Sequence, residues 1–377
     1  MEQNHQEAAR AFRIPGNLVA AEPYGSGHIN NTYTATFSSN GNDVRYILQR
    51  VNSTIFKDIP ALMSNIARVT SHARTRLIEA GCNEPTRRAL TLVRTHEGAN
   101  YHVDSAGEYW RAYLFIEGAR GYDIVENEKH AYEAAKAFGE FQKLLADLPG
   151  ERLNETIPDF HNTRKRFAAF EAALEKDALQ RADNVKAEID WVFAHKHLAG
   201  ALLELHEQGT MPERITHNDT KLNNVLLDNE TGEAICVIDL DTLMPGLALY
   251  DFGDLVRTCT SPVAEDEPDT AKVTMQMPMF KALANGYLAA AGTFLTETER
   301  NNLPLAGMVI TFEIGLRFLT DYLQGDTYFK TKRIGHNLDR CRTQFALVDS
   351  MIKQKAEMQT ATSVIWQHLT QDGMSFV

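Results

Sequence analysis

Cysteine is scarce in this 377-residue chain. The four present, Cys82, Cys236, Cys259 and Cys341, are scattered with no C-x-x-C spacing. That excludes a zinc ribbon or a disulfide framework and fits a reducing, cytoplasmic setting. Basic stripes are also missing: 38 Lys and Arg stand against 50 Asp and Glu, a net charge of −12. Nucleic acid and anionic membranes are therefore poor partners. The first ten residues, MEQNHQEAAR, lack the apolar core of a secretory signal. The longest apolar run, LPLAGMVITFEIGLRFL, is broken by Glu313 and Arg317 and reads as too short to span a bilayer. No G-x-x-x-x-G-K-[ST] occurs, so a Walker-type NTPase is excluded.

What is present changes texture along the chain. Residues 18–39 and 44–52 read as three antiparallel strands, with GSG, residues 25–27, as one turn and GND, residues 41–43, as the next. Residues 55–80 carry helical apolar spacing at Leu62, Ile66 and Val69 and end before Gly81. Further strands are predicted over 89–120. A helix then places Ala134, Phe138, Phe141, Leu145 and Leu148 on one stripe, with Pro149-Gly150 as its stop. Residues 163–208 read as two helices, 224–241 as a hairpin around NETG, and everything beyond about 270 as helical. The order is a sheet lobe over 1–118 and a larger helical lobe over 119–377, an α/β (α+β) chain with no internal repeat.

The stretch ITHNDTKLNNVLLD, residues 215–228, holds His217, Asp219 and Asn224 in an H-x-D-x₄-N arrangement. Phosphoryl transfer needs a carboxylate to receive the proton of the attacking hydroxyl, oxygen ligands for Mg²⁺, and cover for the phosphates. Asp219 suits the first role. Asn224 offers a neutral oxygen, and the returning hairpin strand ends in VIDLD, bringing Asp239 as a second hard ligand. The glycines of Gly25-Ser26-Gly27 allow backbone N–H groups to approach phosphates. Lys221 reads either as a γ-phosphate contact or as a solvated loop charge, and His217 as a brace for the loop.

The chain also contains a literal Asp-Phe-Gly, residues 251–253, a metal-binding signature elsewhere. Asp239 follows Asp219 by 20 residues, one hairpin; Asp251 follows by 32 and falls beyond it. Asp239 is therefore the expected ligand. Asp251 is expected to cap a helix or to hydrogen-bond the 216–224 loop.

Taken in order, EPYGSGHINNTY, RYILQRVN, THNDTKLNN, IDLDTLMPG, YDFGD and GLRFLTDYLQGDTYF resemble segments of the aminoglycoside phosphotransferase/choline kinase superfamily. Within it they are most similar to the N-acetylhexosamine 1-kinases, over nearly the whole chain. The resemblance implies a two-lobed protein-kinase-like fold with ATP in the cleft. It implies Mg²⁺-dependent transfer of the γ-phosphate to the anomeric hydroxyl of GlcNAc or GalNAc. It also makes Asp219 the catalytic base, with Asn224 and Asp239 as metal ligands and His28, Arg317 and Tyr328 holding the sugar. The alternatives are another small-molecule kinase of this fold, acting on a different sugar, choline or an aminoglycoside, or a non-catalytic nucleotide-binding protein. Kinases usually carry a lysine on the third strand; here Gln49 stands there, and the group that replaces it is left open. Arg317 lies in an apolar stretch, so it either pairs with Glu313 one turn earlier or faces a polar ligand.

Overall fold

The computed structural model describes residues 2–25 and 29–373. In chain order its main elements begin with α1 (Glu2–Arg10), β1 (Asn17–Pro23), β2 (Asn31–Ser39), β3 (Asn42–Val51), α2 (Ile59–Glu79) and α3 (Pro85–Arg88). Four strands follow: β4 (Leu92–Val93), β5 (His102–Val103), β6 (Tyr109–Leu114) and β7 (Ala119–Arg120). Next come α4 (Glu128–Leu144), α5 (Thr163–Lys176), α6 (Lys186–Ala194) and α7 (Ala201–Glu207), then β8 (Arg214–Thr216), β9 (Val225–Asp228), β10 (Ala234–Val237) and β11 (Met244–Gly246). The remainder is helical: α8 (Ala248–Cys259), α9 (Met277–Ala291), α10 (Glu297–Asn301), α11 (Leu303–Gln324), α12 (His336–Lys353) and α13 (Lys355–Gly373).

Contacts divide the chain into two compact units. The first comprises residues 1–120, 147–158 and 226–244. Its main sheet is antiparallel in the order β1-β2-β3-β6-β4, with β5 on β6. The β2–β3 turn is Asn40-Gly41, one residue earlier than the expected GND. Both residues have positive φ, 53° and 80°, the requirement of a tight hairpin that Asn-Gly meets without strain. One core gathers Phe37, Leu48, Trp110 and Ala112 from this sheet with Ala8, Ala9 and Phe12. Helix α1, unread in the sequence, thus contributes to that core. Asp58 caps α2 by accepting the Ala61 N–H (2.9 Å), and Leu62, Ile66, Val69 and Ala73 form its buried face.

One buried side chain bonds three distant segments of this unit together. Asn65 on α2 donates to the carbonyls of Asn154 (2.8 Å) and Leu243 (3.2 Å) and accepts the Asn154 N–H (3.0 Å). A second sheet, β10-β9-β7, uses the predicted hairpin, whose turn is held by Asp228 accepting the N–H groups of Glu230 and Thr231.

The second unit comprises residues 121–146, 159–225 and 245–377. Helix α4 ends at Leu144, several residues before Pro149, and the 163–208 region is broken into three helices and two 3₁₀ turns rather than two helices. Asp177 in the left-handed region interrupts it once, and the stretch from His195 to Gly200 does so again. Helix α11 has 22 residues, long enough by length and composition to cross a membrane, so the sequence argument from length fails. The segment is instead a core helix, with 83% of its most apolar window buried inside the protein.

Candidate active site

The loop after β8 carries the H-x-D-x₄-N residues, and its geometry begins with a buried anchor. The Asp251 carboxylate, in the first turn of α8, accepts the backbone N–H groups of His217 (2.9 Å) and Asn218 (2.8 Å) and the Gln142 amide (2.6 Å). The Asp251 carbonyl takes the Thr220 hydroxyl (2.6 Å). Asp251 therefore holds the loop rather than capping α8, whose N-cap is Leu247. The other two letters of Asp-Phe-Gly are structural as well. Phe252 is fully buried, and a Cβ on Gly253 would lie 2.5 Å from the Ala306 carbonyl of α11, so only glycine permits that approach. The His217 ring is buried edge-on against Phe138 and Phe141, and its Nδ1 accepts the Asp219 N–H at 3.4 Å. Asn218 sits at φ +66°, with its side chain bonded to Thr216.

From this turn Asp219 emerges, part-exposed. Its Oδ2 receives Lys221 Nζ (3.0 Å) and Asn224 Nδ2 (3.0 Å), and Asn224 Nδ2 also reaches the Asp219 carbonyl (2.8 Å). Among the described residues no hydrogen bond reaches Oδ1, which leaves one carboxylate oxygen to accept from a substrate hydroxyl. Burial pushes the Asp219 carboxyl up, but the charge of Lys221, the nearby His217 ring and the bonds from Lys221 and Asn224 outweigh it, holding the group below the ordinary aspartate value. Asp251, with fewer compensating charges, is pushed above that value by burial. The Asn224 amide nitrogen is committed to Asp219, so its oxygen is the end that can ligate a cation.

The first unit carries the remaining expected ligand. Asp239 follows β10 with φ +60° and leads into a 3₁₀ turn, Leu240–Thr242. Asp241 in that turn is buried and forms an ion pair with Arg111, which is also fully buried. Its second oxygen accepts Asn30 Nδ2 (2.6 Å), and its carbonyl accepts the Thr156 hydroxyl (3.2 Å). Arg111 stands directly across from Gln49 in the β3–β6 register and donates Nε–H to the Gln49 amide oxygen (2.9 Å). The cation bonded to the Gln49 side chain is therefore Arg111 on the neighbouring strand, itself paired with Asp241. Sequence reading missed Arg111 and Asp241, although an arginine inside the apolar strand YWRAYL was a usable signal.

Gly25 has φ +77°, and Asn30 donates Nδ2–H to Asp241. Ser26, Gly27 and His28 lie outside the described residues. Arg317 on α11 is one-tenth exposed, and its nearest carboxylate is Glu313 at 3.9 Å. It is ringed by Phe160, Tyr328 and Phe329 at 5.2, 5.7 and 5.7 Å and reaches the Tyr328 hydroxyl at 3.4 Å. Tyr328 is 62% exposed, and its backbone is fixed by Asp321 accepting the N–H groups of Thr327, Tyr328 and Phe329. Glu313 bonds more closely to His161 Nδ1 (2.8 Å) and the Thr163 hydroxyl (2.5 Å), partners not foreseen in the sequence. His195 and His206 each bond a backbone carbonyl through Nδ1 and are structural.

The same order of elements recurs in solved structures. The chain matches an aminoglycoside phosphotransferase from Alicyclobacillus acidocaldarius with a TM-score of 0.56 at 13% identity, covering 97% of this chain and 96% of that one. It matches spectinomycin phosphotransferase in complex with ADP and spectinomycin at 0.52 and 13%, covering 92% and 97%. A choline/ethanolamine kinase family protein from Mesorhizobium loti aligns at 0.51 and 17%, covering 97% and 100%. These likenesses establish the protein-kinase-like fold, an antiparallel sheet region with a helical region. At the level of sequence, the profile of the phosphotransferase enzyme family, APH, matches residues 20–300. The chain belongs to that family, the small-molecule kinases of the aminoglycoside phosphotransferase and choline kinase type.

Proposed function

We propose that this phosphotransferase transfers the γ-phosphate of ATP to the anomeric hydroxyl of an N-acetylhexosamine, GlcNAc or GalNAc, giving the sugar 1-phosphate. The observation that carries the reading is the geometry of Asp219: pinned through Oδ2 by Lys221 and Asn224 and, among the described residues, open at Oδ1, with its carboxyl held below the ordinary value. In this proposal Oδ1 accepts the hydrogen bond of the acceptor hydroxyl, orients its oxygen toward the γ-phosphorus and takes the proton as the new P–O bond forms. ADP leaves with the electrons of the broken bond. Lys221 keeps Asp219 ionised and offers its ammonium to the γ-phosphate. When bound, Mg²⁺ neutralises charge on the phosphates. Its proposed protein ligands are the Asn224 amide oxygen and the Asp239 carboxylate, a hard-oxygen set that suits this ion.

The backbone of Gly25, Ser26 and Gly27 is assigned to the nucleotide phosphates, and residues 1–118 to nucleotide binding. Residues 119–377 are assigned catalysis and acceptor binding, with His28, Arg317 and Tyr328 on the sugar. The character of Arg317 favours a neutral polyol over choline or an aminoglycoside. An under-compensated guanidinium among aromatic rings repels a cationic acceptor and donates readily to hydroxyl and amide oxygens.

The test is ³¹P NMR of protein with Mg-ATP and, in parallel, GlcNAc, GalNAc, mannose, choline and kanamycin. A new phosphate resonance coupled to H1 with GlcNAc or GalNAc is expected. Asp219→Asn should lose about 10³-fold or more in kcat, the scale of general-base catalysis with its positioning. Turnover with choline or kanamycin alone would discard the sugar, and near-normal turnover by Asp219→Asn would remove that residue from the mechanism. ATP binding without consumption by any acceptor would favour a non-catalytic role.

A further inference from the structure

Glu313 lies in the middle of α11 with no exposure to solvent, where an ionised carboxylate requires a close partner. Arg317, the neighbour expected from helical spacing, is 3.9 Å away; the close contacts are His161 Nδ1 and the Thr163 hydroxyl. The opposite ring nitrogen, His161 Nε2, lies 3.3 Å from the carbonyl of Asn218, the residue before Asp219. A backbone carbonyl only accepts, so Nε2 must carry hydrogen to bond it. A carboxylate also only accepts, so Nδ1 must carry hydrogen too. With Glu313 as a carboxylate, the two partners together call for hydrogen on both ring nitrogens.

We propose that His161 is a positioning residue: a doubly protonated imidazolium that bridges buried Glu313 and the Asn218 carbonyl and so fixes the turn from which Asp219 projects. This rests on the reading of Asp219 as the base.

The backbone at that point needs fixing. Asn218 has φ +66°, a conformation that a non-glycine residue holds only when its surroundings enforce it. Asp251 secures its N–H, and His161 secures its carbonyl. The N–H of the 218–219 peptide goes to His217 Nδ1. With both ends of that peptide bonded, the direction of Asp219 is set. The groups around the His161 ring are Glu313, Tyr250 of α8 in a tilted contact and Phe160 edge-on, while Arg317 lies 3.9 Å from Glu313 and Arg166 acts electrostatically on the same carboxylate. Although burial pushes the Glu313 carboxyl up, His161, with Arg317 and Thr163, brings it below the ordinary value.

The experiment combines spectroscopy and kinetics on the full chain. In protein labelled with ¹⁵N-histidine, long-range ¹H–¹⁵N spectra at pH 7 should show a histidine, identified by its loss in His161→Asn, with both ring nitrogens protonated. In Glu313→Gln that histidine should become neutral. Kinetics with Mg-ATP and GlcNAc then separate positioning from folding. The side-chain amide of His161→Asn can still donate to Glu313 but cannot also reach Asn218. It should lose roughly tenfold to a hundredfold in kcat, the scale of a misplaced reacting group, with both KM values held within about twofold. His161→Gln, whose amide extends toward the Asn218 carbonyl, should recover much of that loss. A neutral ring with bare Nε2 in the wild type, or wild-type kcat in folded His161→Asn, would overturn the proposal. Should GlcNAc prove not to be an acceptor, the ring spectrum still decides the state of His161, so the two readings fail separately.

Discussion

Asp219 and Asp251 are the same residue type within one small region, and their surroundings give them opposite properties. Asp219, bonded to Lys221, lies below the ordinary aspartate value; Asp251, buried and bonded to backbone and amide N–H groups, lies above it. The first is suited to remain charged and receive a proton in a transition state, the second to hold backbone N–H groups. A prediction follows for Lys221. With its carboxyl depressed, Asp219 is ionised across the neutral range, and activity is lost only as pH falls through the depressed value. Replacing Lys221 with Met removes a cation 3.0 Å from Oδ2, so the charged form loses stabilisation and the carboxyl rises. The acid limb of the kcat/KM profile should therefore move to higher pH in Lys221→Met, read directly from pH–rate curves. A limb that stayed in place or moved down would show that Lys221 does not tune this carboxylate.

Between elements, the bond that matters most for the site is the Arg111–Asp241 pair, which joins strand β6 to the turn that carries Asp239. Both partners are buried, and Asp241 also receives Asn30. Arg111→Met leaves an unpaired charge inside the protein and should lower stability by about 3–5 kcal/mol. The double variant Arg111→Met/Asp241→Asn removes that charge while keeping an acceptor for Asn30, and should be less destabilised than the single. Urea midpoints for the two variants check this, and equal losses would mean that the unpaired Asp241 charge is not what destabilises the single variant. The contrast with Asp219 also shows what a sequence discloses. The Asp219–Asn224 contact was legible because one short loop fixes their separation along the chain. Arg111 and Asp241 were not, since their meeting depends on which strand lies beside β3 and in which register. Helix α1 escaped notice because its nine residues are polar apart from Ala8 and Ala9, which join the core with the following Phe12. The breaks near Asp177 and Gly200 were hidden because the apolar spacing continues through them.

For the molecule as a whole, acidic residues are plentiful, 50 against 38 basic, but they are spread out. Among the described residues no group of three or more His, Cys, Asp or Glu side chains is placed to hold a metal ion. Most of the carboxylates whose ionisation is favoured are instead bonded to arginine, lysine or histidine, as Asp228 is to Arg87 and Asp266 to His336. The proposed ligands, one amide oxygen from Asn224 and one carboxylate from Asp239, are too few to strip Mg²⁺ of its water. This ion characteristically completes its shell with phosphate oxygens and retained waters. Metal and nucleotide should therefore bind together. With Mn²⁺ as the probe, electron paramagnetic resonance should find little bound ion on the protein alone and a stoichiometric site once ADP or ATP is added, beyond what the nucleotide itself holds. Asp239→Asn should weaken the ternary site, whereas Asp251→Asn should not weaken it beyond any loss of folded protein, since Asp251 is committed to the loop backbone. Tight Mn²⁺ binding without nucleotide would refute the two-ligand assignment and require further protein ligands.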